Sequence, residues 1–233
     1  MYLCYGDSIT KGVPGVSYLR YLDNKQHFKN YGLGGDTLIG LSDRIQRHVK
    51  NTDNTDYIIQ IGTNDILLPF LSGYSTKWAV RIDGIIRSGR VPCVNVHQFV
   101  EKYRQLLSLL FDYNKRVIVI NIPCIGEDIF SELNNEVDIY NEAMQGVAQE
   151  YNVELIDFNG WQKSIFKQYN IDQPYFMTKE PLNMVFDALA TQNSLLRSRI
   201  SNKRNLYLTV DGCHLNDTGA EGMAKLVFDH CII

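Results

Sequence analysis

The 233-residue sequence lacks three features that would assign it to a membrane, nucleic-acid-binding or secreted class of protein. No apolar run approaches the roughly 18 residues of a membrane-spanning helix, so no transmembrane segment is predicted. Basic and acidic side chains nearly balance, 23 against 26, which argues against a nucleic-acid partner. The opening residues MYLCYGDS have neither a basic start nor a cleavable apolar stretch. A cytoplasmic setting is therefore expected, unless a leader has been removed.

Cysteine is scarce, and its spacing excludes the common structural uses of that residue. The five cysteines are odd in number and include no Cys-x-x-Cys pair, so neither a disulfide framework nor a zinc ribbon is indicated. Cys4 and Cys124 lie in apolar runs and are expected to be small core residues. At this length and with 45% apolar residues, the chain can bury a large core without such cross-links.

What the sequence does contain is a regular alternation of short apolar runs and amphipathic stretches. Two of the runs are almost continuous Ile and Val, which is typical of strands covered on both faces. The stretches between the runs carry apolar residues at helical spacing. This alternation predicts an α/β fold, with a parallel sheet and helices on both sides. The five predicted strands are 2–6, 27–31, 56–61, 116–122 and 153–157.

Two segments, 69–95 and 159–208, do not follow this alternation. We interpret them as insertions, facing the substrate, on a single domain that spans residues 1–233. Both are expected to contain helix. The best candidates in the second insertion are Trp161–Tyr169 and Leu182–Arg199.

The end of the chain is predicted to be a helix from Leu215 to Cys231, with Asp217 or Thr218 as its N-cap. Just before it lies the densest basic cluster in the sequence, which is expected to be a solvated helix end or loop. That cluster consists of Arg197, Arg199, Lys203 and Arg204.

Three of the predicted strands, and a further predicted strand at Leu206–Val210, end in turns that are rich in glycine and polar residues. Because the carboxyl ends of parallel strands share one edge of a sheet, Ser8, Gly35, Asn64 and His214 are expected to converge there. Each turn alone has a structural explanation, as a tight or capped turn, but four in this order favour a common site. The turns are GDSIT at 6–10, GLGGDT at 32–37, GTND at 62–65 and, after the run Leu206–Val210, DGCH at 211–214.

These residue types suit the transfer of an acyl group. Ser8 supplies a hydroxyl that attacks once a base removes its proton, and His214 is the natural base. Asp211 can orient the imidazole and stabilise its charged form. The tetrahedral intermediate needs hydrogen-bond donors for its oxyanion. The backbone N–H groups of Ser8 and Gly35 and the side-chain amide of Asn64 are candidates.

The four motifs together resemble those of the SGNH hydrolases, also called the GDSL esterase/lipase family, and they span nearly the whole chain. The resemblance implies a three-layer α/β/α sandwich with a five-stranded parallel sheet, similar to flavodoxin, and chemistry without cofactor or metal. It also implies that Ser8, Asp211 and His214 are catalytic and that Ser8, Gly35 and Asn64 form the oxyanion hole. No Gly-x-Ser-x-Gly motif surrounds Ser8, which separates the chain from the common α/β-hydrolases.

The predicted function is a serine ester hydrolase that acts through an acyl-enzyme on a small-molecule ester. We expect it to release a short acyl group from a polar ester such as that of a carbohydrate. The alternative is a lysophospholipase or acyl-thioesterase with a longer acyl pocket built from 159–208. In a different class, the chain could be a non-catalytic binding module, or a flavin carrier, on the same fold. The sequence leaves the oligomeric state open.

Two further features have alternative interpretations. Cys213 lies between Asp211 and His214, and we expect it to serve packing rather than to compete with Ser8 as the nucleophile. An aromatic set in the second insertion can form the core of that insertion or line an acyl or sugar pocket. The set is Trp161, Phe166, Tyr169, Tyr175, Phe176 and Phe186.

Overall fold

Five parallel strands form the central sheet of the protein, which a computed structural model describes over residues 1–53, 55–169, 174–177 and 180–231. Their spatial order is β2-β1-β3-β4-β5. The parallel five-stranded sheet confirms the predicted fold class. Four strands lie inside the predicted runs, and β2 is displaced by one residue. The strands are β1 (Tyr2–Gly6), β2 (Phe28–Gly32), β3 (Asp56–Gln60), β4 (Val117–Ile120) and β5 (Glu154–Ile156).

The three middle strands are buried because helices cover both faces of the sheet. In register, Cys4 of β1 lies between Asn30 of β2 and Ile58 of β3. Ile58 in turn pairs with Ile118 of β4, and both are fully buried. Cys124, in a small apolar cluster beside the main core, is also buried. Cys4 and Cys124 are therefore the core residues that their apolar surroundings predicted.

Ten α-helices among the described residues complete a three-layer α/β/α sandwich. Helices α2, α5 and α6 contact one another in a row, and α10 contacts α7 and α9. No helix in the described part of the chain is both long and apolar enough to cross a membrane. The helices are α1 (Ser8–Lys11), α2 (Leu38–His48), α3 (Thr63–Tyr74), α4 (Thr76–Arg87), α5 (Val96–Asp112), α6 (Glu132–Glu150), α7 (Phe158–Tyr169), α8 (Pro181–Ala190), α9 (Ser194–Lys203) and α10 (Asp217–Asp229).

The segments interpreted as insertions are mainly helical. Segment 69–95 contains the end of α3, all of α4 and a connecting loop, and segment 159–208 contains most of α7 together with α8 and α9. Residues 170–173 and 178–179 of the second segment lie outside the described residues. The single helix expected over Leu182–Arg199 is wrong. It is interrupted where Asn193 caps a new helix by accepting hydrogen bonds from the N–H groups of Leu195 and Leu196.

The run Leu206–Val210 is not a strand of the sheet, contrary to the prediction. The N–H groups of Tyr207, Leu208 and Thr209 do not bind a neighbouring strand. They donate instead to the buried carboxylate of Glu127, at 2.6–2.9 Å. Only an isolated antiparallel bridge forms, between Thr209 and Leu215. The run still ends beside the sheet edge, so it delivers the residues that follow it to the predicted place.

The predicted N-cap of the last helix is also wrong. Asn216 takes that role and accepts a hydrogen bond from the N–H of Gly219 at 3.0 Å. Asp217 is instead an ion-pair partner of Arg197, with contacts of 2.7 and 2.6 Å.

The basic cluster is therefore only partly solvated. Arg197 is 1% exposed, and Arg204 pairs with Asp187 at 2.8 Å, whereas Arg199 and Lys203 are exposed. The expectation of a solvated cluster is wrong for the two paired arginines.

Candidate active site

Ser8, His214 and Asp211 form a continuous chain of hydrogen bonds at the carboxyl edge of the sheet. His214 Nε2 lies 2.9 Å from Ser8 Oγ, and His214 Nδ1 lies 2.7 Å from Asp211 Oδ2. Asp211 is fully buried and His214 is 2% exposed, whereas Ser8 is 9% exposed. The structure thus brings together three side chains that 206 positions separate, with the hydroxyl nearest to solvent.

The turn after β1 presents the Ser8 hydroxyl. Asp7 caps α1, because its carboxylate accepts a hydrogen bond from the N–H of Ile9 at 2.8 Å, and Ser8 is the first residue of that helix. Gly6 allows the turn to close, since a Cβ there would lie 2.2 Å from Thr10 Oγ1 and 2.6 Å from the Gln60 carbonyl oxygen. As the first residue of a helix, Ser8 has a backbone N–H without an intrahelical acceptor.

The loop before α10 fixes the imidazole. One oxygen of Asp211 accepts hydrogen bonds from the N–H groups of Cys213 and His214, at 3.0 and 2.9 Å. Its other oxygen contacts the ring. The carboxylate therefore holds both the backbone and the side chain of His214, and this leaves Nε2 directed at the hydroxyl.

The electrostatics of the pair suit a base. Burial lowers the pKa of His214, but the Asp211 carboxylate outweighs burial, so the pKa of this histidine lies above its ordinary value. Burial raises the pKa of Asp211, but the imidazolium and the hydrogen bonds lower it overall. The aspartate consequently stays ionised, and the imidazole binds a proton more strongly than a free one does.

A second buried carboxylate belongs to Asp7, the residue before Ser8. Burial raises its pKa to about 6, although hydrogen bonds from the Ile9 N–H and from Gln60 oppose this. Gln60 Nε2 lies 3.3 Å from the carboxylate. Asp7 was not singled out from the sequence, although its place in the GDSIT motif beside Ser8 was an available signal.

Asn64, in the first turn of α3, and Gly35, in the turn after β2, line the same cavity as Ser8. Asn64 Nδ2 donates one hydrogen bond to the Asp36 carbonyl oxygen at 2.9 Å, and an amide nitrogen has a second hydrogen to offer. Gly35 has φ +73°, a backbone conformation that glycine adopts without strain. Within the described part of the chain its N–H makes no hydrogen bond. Both groups thus have a donor available.

A cavity of about 360 Å³ opens from Ser8, Asn64 and His214. Beyond these polar groups its walls are mainly apolar, and they come from α3, α4 and α8, with two guanidinium groups, those of Arg81 and Arg90, on its surface. The apolar lining includes Leu67, Leu71, Trp78, Ile82, Ile85, Met177, Met184 and Ala188.

Segment 69–95 was expected to face the substrate, but the residues of α4 that form the wall were not singled out from the sequence. Trp78, Ile82 and Ile85 recur at i, i+4 and i+7, and all three line the cavity, so helical periodicity within 69–95 was the available signal. The aromatic set of the second insertion is placed elsewhere, since none of its six members, all described, lines this cavity. Trp161 stacks on Phe158, for example, at a ring distance of 5.4 Å.

Cys213 also borders the cavity but is buried, at 2% exposure. Burial and the nearby carboxylates raise the pKa of its thiol well above the ordinary range, and a thiol in that state is a poor nucleophile. In the described part of the chain, no three His, Cys, Asp or Glu side chains are grouped as a metal site would require.

Comparison with known proteins gives one family match and many structural ones. The model of the GDSL-like lipase/acylhydrolase family matches residues 4–221. No curated protein sequence matches the chain.

Solved structures with this fold include an acetyl xylan esterase, with 22% identity, a TM-score of 0.65 and full coverage of both chains. A lipolytic protein of the G-D-S-L family from Veillonella parvula has 19% identity and a TM-score of 0.58, with 98% of this chain and 96% of that chain covered. A catalytic mutant of an acetylxylan esterase from Geobacillus stearothermophilus has 14% identity and a TM-score of 0.62, with 98% and 92% covered.

These structures are similar in fold over essentially the whole chain, and the family model matches residues 4–221 of its 233 residues. The chain belongs to the GDSL-like lipase/acylhydrolase family and is an ester hydrolase of that family.

Proposed function

We propose that Ser8 is the nucleophile of a serine esterase, with His214 as its general base and Asp211 as the residue that orients the base. The observation that carries this proposal is the placement of His214, whose two ring nitrogens contact Ser8 Oγ and Asp211 Oδ2. A hydroxyl is a weak nucleophile without such a base.

The proposed reaction has two steps. In the first, His214 Nε2 takes the proton of Ser8 as Oγ attacks the ester carbonyl, and it then returns that proton to the departing alcohol. In the second, water attacks the acyl-enzyme, again giving its proton to Nε2, and Ser8 is regenerated as the carboxylic acid leaves. In both steps the oxyanion accepts hydrogen bonds from the N–H groups of Ser8 and Gly35 and from the Asn64 amide.

For the substrate, the cavity favours an apolar acyl chain of intermediate length over the short acyl group expected from the sequence. A volume of about 360 Å³ is within the range of pockets that hold whole small-molecule ligands, and it is more than an acetyl group fills. Burial of each methylene group against its apolar walls should stabilise the bound acyl chain by about 0.8 kcal/mol. Helix α8, inside segment 159–208, supplies Met184 and Ala188 to these walls, and helix α4, inside 69–95, supplies Ile82 and Ile85. We therefore propose that both segments face the substrate.

A series of p-nitrophenyl esters from acetyl to decanoyl tests the acyl preference. We expect kcat/KM to rise with chain length beyond acetyl and to fall once the chain exceeds the cavity. A maximum at acetyl with no activity at octanoyl would contradict the proposed chain length and would favour a short-acyl esterase. The proposed roles of Ser8 and His214 would be unaffected by that result.

A further inference from the structure

We propose that Asp65, the residue after Asn64, is a positioning residue of the oxyanion hole, because its carboxylate holds the turn that carries Gly35. The inference rests on the proposed function, since it assigns the Gly35 N–H and the Asn64 amide to the oxyanion. The Asp65 carboxylate contacts two backbone N–H groups and the thiol of Cys93, and Asp65 does not line the cavity.

The carboxylate of Asp65 joins three segments that are distant in the sequence. Asp65 lies in the first turn of α3 and is 2% exposed. One oxygen accepts a hydrogen bond from the N–H of Leu38, the first residue of α2, at 3.0 Å. The other accepts a hydrogen bond from the N–H of Cys93 in the loop after α4, at 2.9 Å. Each oxygen therefore holds a different segment.

Asn64 and Asp65 together fix two points on the turn after β2. Asn64 Nδ2 donates to the Asp36 carbonyl oxygen at 2.9 Å, and Asp65 accepts from the N–H of Leu38, two residues further on. Gly35 immediately precedes this clamped stretch. The relative position of the two proposed oxyanion donors is thus set by hydrogen bonds of adjacent residues in the first turn of α3, which is how a preorganised site is built.

The loop after α4 completes the clamp. Arg90 donates to the Gly34 carbonyl oxygen, and Thr37 Oγ1 donates to the Val91 carbonyl oxygen at 2.8 Å. Residues 90 and 91 of this loop thus bind residues 34 and 37, and Cys93 binds Asp65 of α3. The turn that carries Gly35 is therefore held by α3 on one side and by this loop on the other. The Asp65 carboxylate binds Leu38, just after the turn, and Cys93 of the loop.

Only a carboxylate can make both bonds, because each of its oxygens accepts. Burial raises the pKa of Asp65 to about 7. The fold therefore keeps a carboxyl group at a position where burial disfavours its charged form. An asparagine has the same shape but presents an NH₂ group to one of the two N–H donors, which breaks one bond and leaves a buried donor unpaired. Asp65→Asn is therefore the matched substitution.

The test compares kcat and KM of Asp65→Asn with those of the unaltered protein on its best nitrophenyl ester. Measurement at about pH 8.5, above the pKa of the carboxyl, keeps Asp65 ionised. We expect kcat to fall about tenfold to hundredfold and KM to change by less than about twofold, since a misplaced oxyanion donor weakens the transition state more than it weakens substrate binding. In an Asn64→Ala background the same change should lower kcat by a smaller factor, because the two residues act on one hole.

A control separates positioning from general destabilisation. Asn141→Asp makes the reverse exchange at a side chain that bonds to the backbone of Ile122, at 2.8 and 2.9 Å, and it should leave kcat unchanged. An unchanged kcat for Asp65→Asn, a fall equal to that of Asn141→Asp, or full additivity with Asn64→Ala would overturn the proposal. Failure of the proposed function would be visible separately, as activity that survives Ser8→Ala.

Discussion

His214 is the single residue on which the proposed chemistry depends most, because its two ring nitrogens serve different partners. Nε2 contacts the hydroxyl of Ser8 and Nδ1 contacts the carboxylate of Asp211. The aspartate raises the pKa of the ring although burial lowers it. A base whose pKa is raised has a narrower working range, since it must be neutral to accept the serine proton.

The pH dependence of kcat/KM follows from this pair. The rate should fall as the pH decreases through the pKa of His214, with a midpoint above the ordinary histidine value of about 6.5. Asp211→Asn removes the charge that raises this pKa, so the midpoint should move to lower pH while the maximal rate falls by about 10⁴-fold. The control is Asp128→Asn, which removes an exposed carboxylate and should leave the acid midpoint unchanged. An acid limb that does not move in Asp211→Asn would show that it belongs to another group.

Asn64 should affect turnover far more than folding. Asn64→Ala removes one proposed oxyanion donor, so kcat should fall roughly hundredfold to thousandfold while KM changes little. Steady-state kinetics on one nitrophenyl ester measure this. Asn141→Ala removes a comparable amide that bonds to the Ile122 backbone, and it should lower the melting temperature without a comparable loss of kcat. Equal effects of the two variants on kcat would exclude Asn64 from the oxyanion hole.

At this scale the sequence predicted polar residues that follow a strand or an apolar run, and it missed Asp65, whose contacts lie in distant segments. Ser8, Asn64 and His214 were found because each follows a predicted strand or apolar run. Asp65 binds Leu38 and Cys93, which lie 27 and 28 positions away. No periodicity or spacing within one element predicts contacts of that kind, because they depend on how the turns pack against one another.

Helices α4 and α8 are the elements that give the cavity its apolar character. They contact each other directly, and an exposed ion pair between Lys77 and Glu180 joins α4 to the residue before α8. An ion pair so exposed contributes little to stability. Apolar contacts should therefore hold α4 and α8 together more strongly than this ion pair does. Because both helices line the cavity, we expect them to determine acyl-chain selectivity together.

A substitution on α8 tests this directly. Ala188 lines the cavity, so Ala188→Phe should fill part of it and lower kcat/KM for octanoyl esters at least tenfold relative to acetyl esters. Leu189, the next residue, is 73% exposed, and Leu189→Phe should leave the ratio unchanged. The measurement is the ratio of kcat/KM for the two esters. Equal ratios in both variants would place the acyl chain outside the cavity.

The elements themselves were predictable where burial and periodicity agree. The strands inside 56–61 and 116–122 are buried on both faces, as their Ile and Val content indicates. The run Leu206–Val210 has the same apolar character but is not a sheet strand, because Glu127 occupies its N–H groups. An apolar pattern predicts that a segment is buried, but it does not predict which group accepts the hydrogen bonds of its backbone N–H groups.

Across the whole molecule, a partly buried ion pair ties segment 159–208 to the helix that follows it. Arg197 of α9 binds Asp217 at the start of α10, and the same aspartate accepts a hydrogen bond from Tyr21. Arg197 also donates to the Thr191 carbonyl oxygen. The sequence placed this arginine in a solvated cluster because composition alone does not distinguish a paired basic residue from a free one.

Loss of this arginine should destabilise the fold. Arg197→Leu removes the partner of the partly exposed Asp217 and the donor to the Thr191 carbonyl oxygen, so the free energy of unfolding should fall by about 2 kcal/mol. Arg199 lies two residues away and is exposed, and Arg199→Leu should change it by less than about 0.5 kcal/mol. Denaturant unfolding of both variants makes the comparison. Equal stabilities would mean that the pair contributes nothing to the attachment of this segment.

The central claim, that Ser8 is an activated nucleophile, is tested most directly by a fluorophosphonate probe on the folded protein. We predict a single phosphonylated residue, Ser8, located by mass spectrometry of the digested protein. Labelling should be lost in Ser8→Ala and be strongly slowed in His214→Ala, and Ser8→Ala should lose esterase activity in parallel. A folded protein that is not labelled at Ser8, together with a Ser8→Ala variant that retains full esterase activity, would contradict the proposed mechanism.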